Sequence, residues 1–381
     1  MENLQKLAKE DEDPGGGGQV LASPQKQSWL EGYHGSIKTI EDLDQYLCLK
    51  EDEKTALKQV AKKFHIRIPA YYLSLIKDKN DVFDPIRRQC VPSPEELAAD
   101  HYEQIDPLAE VKTSPVPCLV HRYPDRALLL VTGRCFMYCR HCTRKRLWCA
   151  RIQEPTLKDI ELALSYVKAN LKIREIIISG GDPLTLADDR LDCILAMVAR
   201  LDHIQAVRLG TRAPVVLPQR ITKSLCEVLG KYDKLWINVQ FNHPSEITEQ
   251  STAACRKLQA LGIPLSNQSV LLKGVNDSAS VMTELCRRLQ SIRVRPYYLF
   301  QCDPVVGTSH FRTSLLKGIE IIEQMQGHTG GMCVPTFVVD GTGGKGKIPL
   351  GPNYLLSLSQ DGAWLRSWRN EVFFYRGGTA R

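Results

Sequence analysis

The stretch Gly133-Arg134-Cys135-Phe136-Met137-Tyr138-Cys139-Arg140-His141-Cys142-Thr143-Arg144-Lys145-Arg146 sets three cysteines in a C-x3-C-x2-C spacing. It follows the apolar run Leu128-Leu129-Leu130-Val131, which reads as a buried strand. A loop leaving a strand can fold three thiolates around one metal centre, and thiolates are the ligands of iron–sulfur clusters. A fully ligated four-iron cluster takes four cysteines, so a set of three leaves one iron open to a small molecule. Two plainer readings compete. Cysteines can fall close together by chance in a chain that has 13 of them. A zinc site is the other, but zinc motifs come as paired C-x2-C units or with a matching histidine pair, and no second pair stands in this sequence.

The remaining composition narrows the class. A chain of 381 residues holds one large α/β domain with additions, or two ordinary domains. With 43% hydrophobic and 24% charged residues it has the make-up of a soluble globular protein. No apolar run reaches the length of a membrane span, and Met1-Glu2-Asn3-Leu4-Gln5-Lys6 lacks the build of a signal peptide. The odd cysteine count therefore points to a reducing cytoplasm and to metal or catalytic use of thiols. A net charge of +7, from scattered basic residues, decides nothing alone.

Residues 1–27 read as an unfolded tail, with mixed charges followed by Pro14 and the glycines 15–18. Residues 28–115 read as an N-terminal helical region with no evident chemistry. Thr39 and Asp42 begin one helix, Leu57, Val60 and Ala61 stripe a second, and Ser93-Pro94-Glu95-Glu96 forms a capping box. Strand-like runs at 127–132, 175–179, 206–210, 235–241, 264–271 and 296–301 then alternate with amphipathic helices. One helix carries Ile160, Leu164, Val167 and Leu171 on a face. The next carries Leu191, Ile194, Leu195, Val198 and Leu201, and others fall at about 221–230, 248–261, 279–291 and 313–326. Six β–α units in series predict an α/β fold, a partial (β/α)6 barrel over residues 116–333, too few strands for a closed eight-stranded one.

Sites in such barrels gather where the C-terminal ends of strands meet their loops. Five polar tips fall there: the cysteine loop, Gly180-Gly181-Asp182-Pro183, Thr211-Arg212, Asn242-His243 and Cys302-Asp303. Beyond the barrel, residues 334–381 contain a strand ending in Asp340, then Gly341-Thr342-Gly343-Gly344-Lys345-Gly346-Lys347. A glycine loop allows close backbone approach to a ligand, and a lysine held there can form a Schiff base with an aldehyde cofactor. A flexible turn with solvated lysines is the plainer reading. A phosphate-binding P-loop is excluded, because no Ser or Thr follows the lysine in the required order.

The cysteine loop resembles the radical S-adenosylmethionine (SAM) signature, with His141 in the aromatic place before the third cysteine. Over about 29–354 the chain resembles the lysine 2,3-aminomutase family, through His121-Arg122-Tyr123-Pro124-Asp125-Arg126, Gly210-Thr211-Arg212-Ala213-Pro214, Phe241-Asn242-His243-Pro244 and Arg295-Pro296-Tyr297-Tyr298. The resemblance implies a [4Fe–4S] cluster, SAM and pyridoxal 5′-phosphate (PLP). It implies that Cys135, Cys139 and Cys142 ligate the cluster, and that Gly180, Gly181 and Asp182 meet the amino group of SAM. His141 and Gln268 join the cofactor-binding set. Lys347 matches the PLP lysine, Arg122 and Arg126 the residues near its phosphate, and Arg144 the partner of the substrate carboxylate. Asp303 and Asp340 match two aspartates that hold the distal ammonium of lysine.

The implied activity is an isomerase that moves the α-amino group of L-lysine to the β-carbon. The alternatives are the same chemistry on arginine, or on lysine destined for elongation factor P, and a radical SAM enzyme acting on RNA. A small-molecule amino acid substrate, a flavodoxin- or ferredoxin-type reductant and a homo-oligomer are the expected partners, with neither membrane nor nucleic acid. Phe300 stands where the family has tyrosine, Gln240 where it has histidine, and Lys345 adds a cation. Ser278 stands in place of a zinc-ligating cysteine of longer members, and no cysteine follows Cys333, so zinc is not expected.

Overall fold

The computed structural model describes residues 24–98, 100–149 and 154–377. Helices α1 (Pro24–His34), α2 (Ile40–Leu47), α3 (Glu51–Lys63) and α4 (Pro85–Cys90) form an N-terminal layer. Thr39 caps α2 by accepting from the Asp42 amide, and Leu57 and Val60 are the buried stripe of α3. The tail expected over 1–27 falls outside the described residues up to 23, while 24–27 already belong to α1.

A nine-stranded sheet runs in sequence order. Its strands are β1 (Leu119–Tyr123), β2 (Arg126–Thr132), β3 (Glu175–Gly180), β4 (Ala206–Gly210), β5 (Leu235–Val239), β6 (Leu265–Leu271), β7 (Arg295–Gln301), β8 (Thr336–Gly341) and β9 (Gly346–Leu350). Strands β2 to β8 pair in parallel, and β1 and β9 add antiparallel edges. The crossovers carry α5 (Leu157–Ala169), α6 (Asp188–Ala199), α7 (Lys223–Leu229), α8 (Glu249–Gln259), α9 (Ala279–Ser291) and α10 (Leu315–Met325). The six strands read from sequence are β2 to β7. The sheet continues past them into β8 and β9, so the lysine segment is part of the barrel wall. Leu171, expected on the apolar face of α5, lies beyond the helix end and is exposed. Ile173 is the buried residue there.

The two sheet edges nearly meet. The Tyr123 hydroxyl of β1 accepts from the Lys347 amide of β9 at 2.7 Å. Parallel strands covered on both faces are usually apolar throughout, but these alternate. In β3, Ile176 and Ile178 are buried in the apolar core, while Glu175, Ile177 and Ser179 line an internal cavity. In β6 the cavity residues are Ser266, Gln268 and Val270. The polar half of each strand therefore encloses a site and the apolar half builds the shell.

A second sheet, β10 (Leu355–Leu358), β11 (Gly362–Arg366) and β12 (Val372–Arg376), is antiparallel and separate. Its short strands escaped the sequence reading because they lack clean polar–apolar alternation.

Candidate active site

The cavity measures about 910 Å³, within the range of a small-molecule and cofactor site. Every residue singled out for the site lines it, from Arg122 and Arg126 on one edge, through the three cysteines, to Asp340 and Lys347 on the other. Two of the five polar tips do not contribute fully. The His243 side chain caps the turn at Pro244–Glu246, accepting from the Ser245 amide. Cys302 packs with Leu272, Val275 and Phe311.

The cysteine loop is fixed from several sides. At its start, Glu154 accepts from the Thr132 hydroxyl at 2.7 Å and from the Gly133 amide at 2.9 Å. Behind it, the buried Glu96 accepts from Arg140 at 2.9 and 2.6 Å and from Lys145 at 3.0 Å. The turn after β3 presses on it directly. A Cβ on Gly181 would stand 2.0 Å from the Arg134 carbonyl, and one on Gly180, whose φ is +129°, 2.2 Å from that of Thr132. The Asp182 carboxylate locks this turn, accepting from the Leu184 and Arg212 amides and the Thr211 hydroxyl. Burial pushes its pKa up against those bonds.

The N-terminal region thus braces the cysteine loop from behind through Glu96. Glu96 is recognisable in sequence only as a capping residue, and its pairing with Arg140 and Lys145 spans more than forty positions.

All three cysteines are free thiols, and burial pushes Cys135 and Cys142 up in pKa. Among the described residues no three cysteine, histidine or acidic side chains converge closely enough to share one metal ion. A four-iron cluster ties each thiolate to a different iron, so its ligands stand wider apart than those of a lone ion. Cys135, Cys139 and Cys142 all line one cavity, and an all-thiolate donor set fits an iron–sulfur cluster. His141 is buried, and burial, then Arg212 and Lys145, hold its pKa well below the ordinary range. Its Nε2 faces the amides of Gln240 at 3.1 Å and Asn242 at 3.3 Å, so the neutral ring accepts there.

At the opposite wall Arg122 donates to the Leu108 carbonyl at 2.6 Å, and its buried Nε has no partner. An unmet guanidinium donor beside a cavity fits a phosphate dianion. Arg126 lies over the Tyr123 ring at 3.8 Å and pairs with Asp125. Gln268, on β6, lines the same space.

Lys347 Nζ lies 2.9 and 3.0 Å from the two oxygens of Asp340 and 4.8 Å over the Phe300 ring. Asp303 faces this pair. Burial first, and Asp340 second, push its pKa up to about 6, against the Thr143 hydrogen bond and the cations of Lys347 and Arg144. Arg144 is held by Glu110, through Nε at 3.0 Å and Nη2 at 2.7 Å, and Arg146 reaches the same carboxylate at 2.5 Å. Burial alone would raise Glu110, but the two guanidiniums outweigh it and hold it down at about 2. Glu110 carried no sequence signal, because its partners lie in another segment.

The radical SAM superfamily profile matches residues 129–285, and a profile described as lysine-2,3-aminomutase matches residues 322–378. The chain is 48% identical to the L-lysine 2,3-aminomutase of Clostridium subterminale, over 91% of this chain and 83% of that protein. It is 49% identical to the enzyme of the same name from Methanococcus maripaludis, over 89% and 79%. A glutamate 2,3-aminomutase from Clostridioides difficile is 44% identical, over 88% and 79%.

Proposed function

From this chain's membership of the lysine 2,3-aminomutase family, in which it plainly belongs, we propose that it moves the α-amino group of L-lysine to the β-carbon, giving β-lysine. The observation that carries the substrate is the carboxylate pair: Asp340 and Asp303 face an alkylammonium, here the side chain of Lys347. Overall identity does not separate lysine from glutamate, since relatives named for each are similarly close. A glutamate side chain would bring a third carboxylate to Asp303 and Asp340, which repel it. An arginine substrate is cationic and remains the second reading, whereas the RNA-acting alternative leaves the lysine-bearing segment without a use.

The family uses a [4Fe–4S] cluster, SAM and PLP. The cluster and SAM supply a hydrogen-abstracting carbon radical, and PLP carries the migrating nitrogen. Cys135, Cys139 and Cys142 would hold the cluster, and the turn at Gly180–Asp182 with His141 and Gln268 would receive SAM. Lys347 would carry PLP, with Arg122 and Arg126 on its phosphate. Asp340 accepts from Lys347 Nζ at 2.9 Å and would hold it oriented toward the cofactor. Arg144, held in one orientation by Glu110, presents its guanidinium to the substrate carboxylate. The barrel walls keep water from the reacting carbons.

A small donor protein of flavodoxin or ferredoxin type would supply the single electron in the cell. The homo-oligomer reading is supported by the second sheet, where Leu358, Trp364, Phe373 and Tyr375 are exposed. Sedimentation of wild type beside Trp364→Ser is expected to give an oligomer that the variant weakens, and a monomeric wild type overturns it. Among the described residues no helix is long and apolar enough to cross a membrane.

The test is anaerobic incubation of reconstituted protein with PLP, SAM, dithionite and L-lysine, L-arginine or L-glutamate. β-Lysine as main product is expected. Lys347→Ala should form none and lose borohydride-trapped PLP. Turnover of arginine alone favours the second reading, and no β-amino product from any of them overturns the proposal.

A further inference from the structure

We infer that Arg212 tunes the reduction potential of the iron–sulfur cluster, as a positioning residue acting through the ligand Cys139. The inference rests on the proposed cluster ligation by Cys135, Cys139 and Cys142. Arg212 Nη1 donates to Cys139 Sγ at 2.8 Å. Among the described hydrogen bonds this is the one that a charged side chain makes to those three sulfurs. Cys142 Sγ accepts instead from the Arg144 backbone amide at 3.3 Å.

The guanidinium cannot swing away. Its side chain is 7% exposed, on the turn that follows β4. Nε donates to the Gln240 carbonyl at 3.2 Å, and Nη2 to Gln89 Oε1 at 2.6 Å, Glu246 Oε1 at 2.7 Å and the Tyr72 hydroxyl at 3.3 Å. Glu246, wholly buried, also accepts from the Tyr72 hydroxyl at 2.6 Å. The counter-charge therefore sits on one nitrogen of the fork and the sulfur on the other. Arg212 also joins the cysteine loop to the turn after β3, because its backbone amide donates to Asp182 at 2.7 Å.

The direction of the effect follows from charge. Reduction adds one negative charge to a cluster that already carries thiolates. A buried cation hydrogen-bonded to a ligating sulfur stabilises the added electron and raises the potential. The low local dielectric makes the bond count for more than it would in water. A guanidinium holding only the local fold would leave the potential where it is.

Wild type, Arg212→Gln and Arg212→Lys are reconstituted anaerobically. Iron and sulfide content, then the midpoint potential, are measured without SAM or substrate. Arg212→Gln is expected to keep its cluster but at fixed poise to show a reduced-to-oxidised ratio lower on the order of tenfold, a fall of ~59 mV for one electron. Arg212→Lys, which keeps the charge, should recover part of it. An unshifted Arg212→Gln with full cluster content overturns the inference. If that variant does not fold, wild type labelled with guanidino-¹⁵N arginine is read by pulsed EPR of the reduced cluster. A nitrogen coupling lost in Arg212→Lys supports the hydrogen bond, and its absence from wild type overturns it. A wild-type chain that takes up no cluster overturns the ligation itself.

Discussion

Asp303 is the residue whose charge state matters most to the substrate reading. Its pKa, pushed to about 6 by burial and by Asp340, lies within the working range of an enzyme. An ammonium at this site favours the ionised carboxylate. Below that pKa, lysine binds only as Asp303 sheds its proton, so affinity falls as pH falls. KM for lysine is expected to rise by up to about tenfold per pH unit below 6. Asp303→Asn should have a high KM with that dependence removed, and a variant that retains the slope assigns it elsewhere. The residue types here were legible from sequence: three cysteines, a lysine after a glycine loop and two aspartates. Their present pairings were not. Lys347 occupies Asp340 and Arg144 occupies Glu110, contacts made between separate segments or fixed only by how β8 pairs with β9.

At the scale of elements, the short 3₁₀ turn at Pro94–Leu97 supports the cysteine loop through Glu96. Burial would raise the Glu96 pKa, but Arg140 and Lys145 outweigh it and hold it below the ordinary carboxylate value. A depressed folded-state pKa means its contribution is full above the unfolded carboxylate range and lost as pH falls through the lowered value. Glu96→Ala leaves two buried cations unpaired, and should cost about 3–5 kcal/mol in denaturant unfolding. A loss under 1 kcal/mol would show that the loop does not depend on this pair. The strands β2 to β7 and their helices were legible because each carries its own period. The outer strands β10 and β12 were missed because exposure along their whole length removes the pattern.

For the whole molecule, the near-closure of the barrel joins residues far apart in sequence. The Tyr123 hydroxyl at one sheet edge accepts from the Lys347 amide at the other. Tyr123→Phe is expected to cost about 1 kcal/mol of stability. It should also speed hydrogen exchange at the Lys347 amide, and unchanged exchange would show that the edges hold together without this bond.

The sequence by itself determined the barrel's repeating units, the cysteine loop and the lysine loop, because periodicity, ligand spacing and glycine placement are local properties. Only the tertiary structure decided that β8 and β9 complete the wall and that Glu96, Glu110 and Arg212 hold the site. A buried charge must find its counter-charge wherever the chain brings one, and that distance is set by packing rather than by spacing along the sequence.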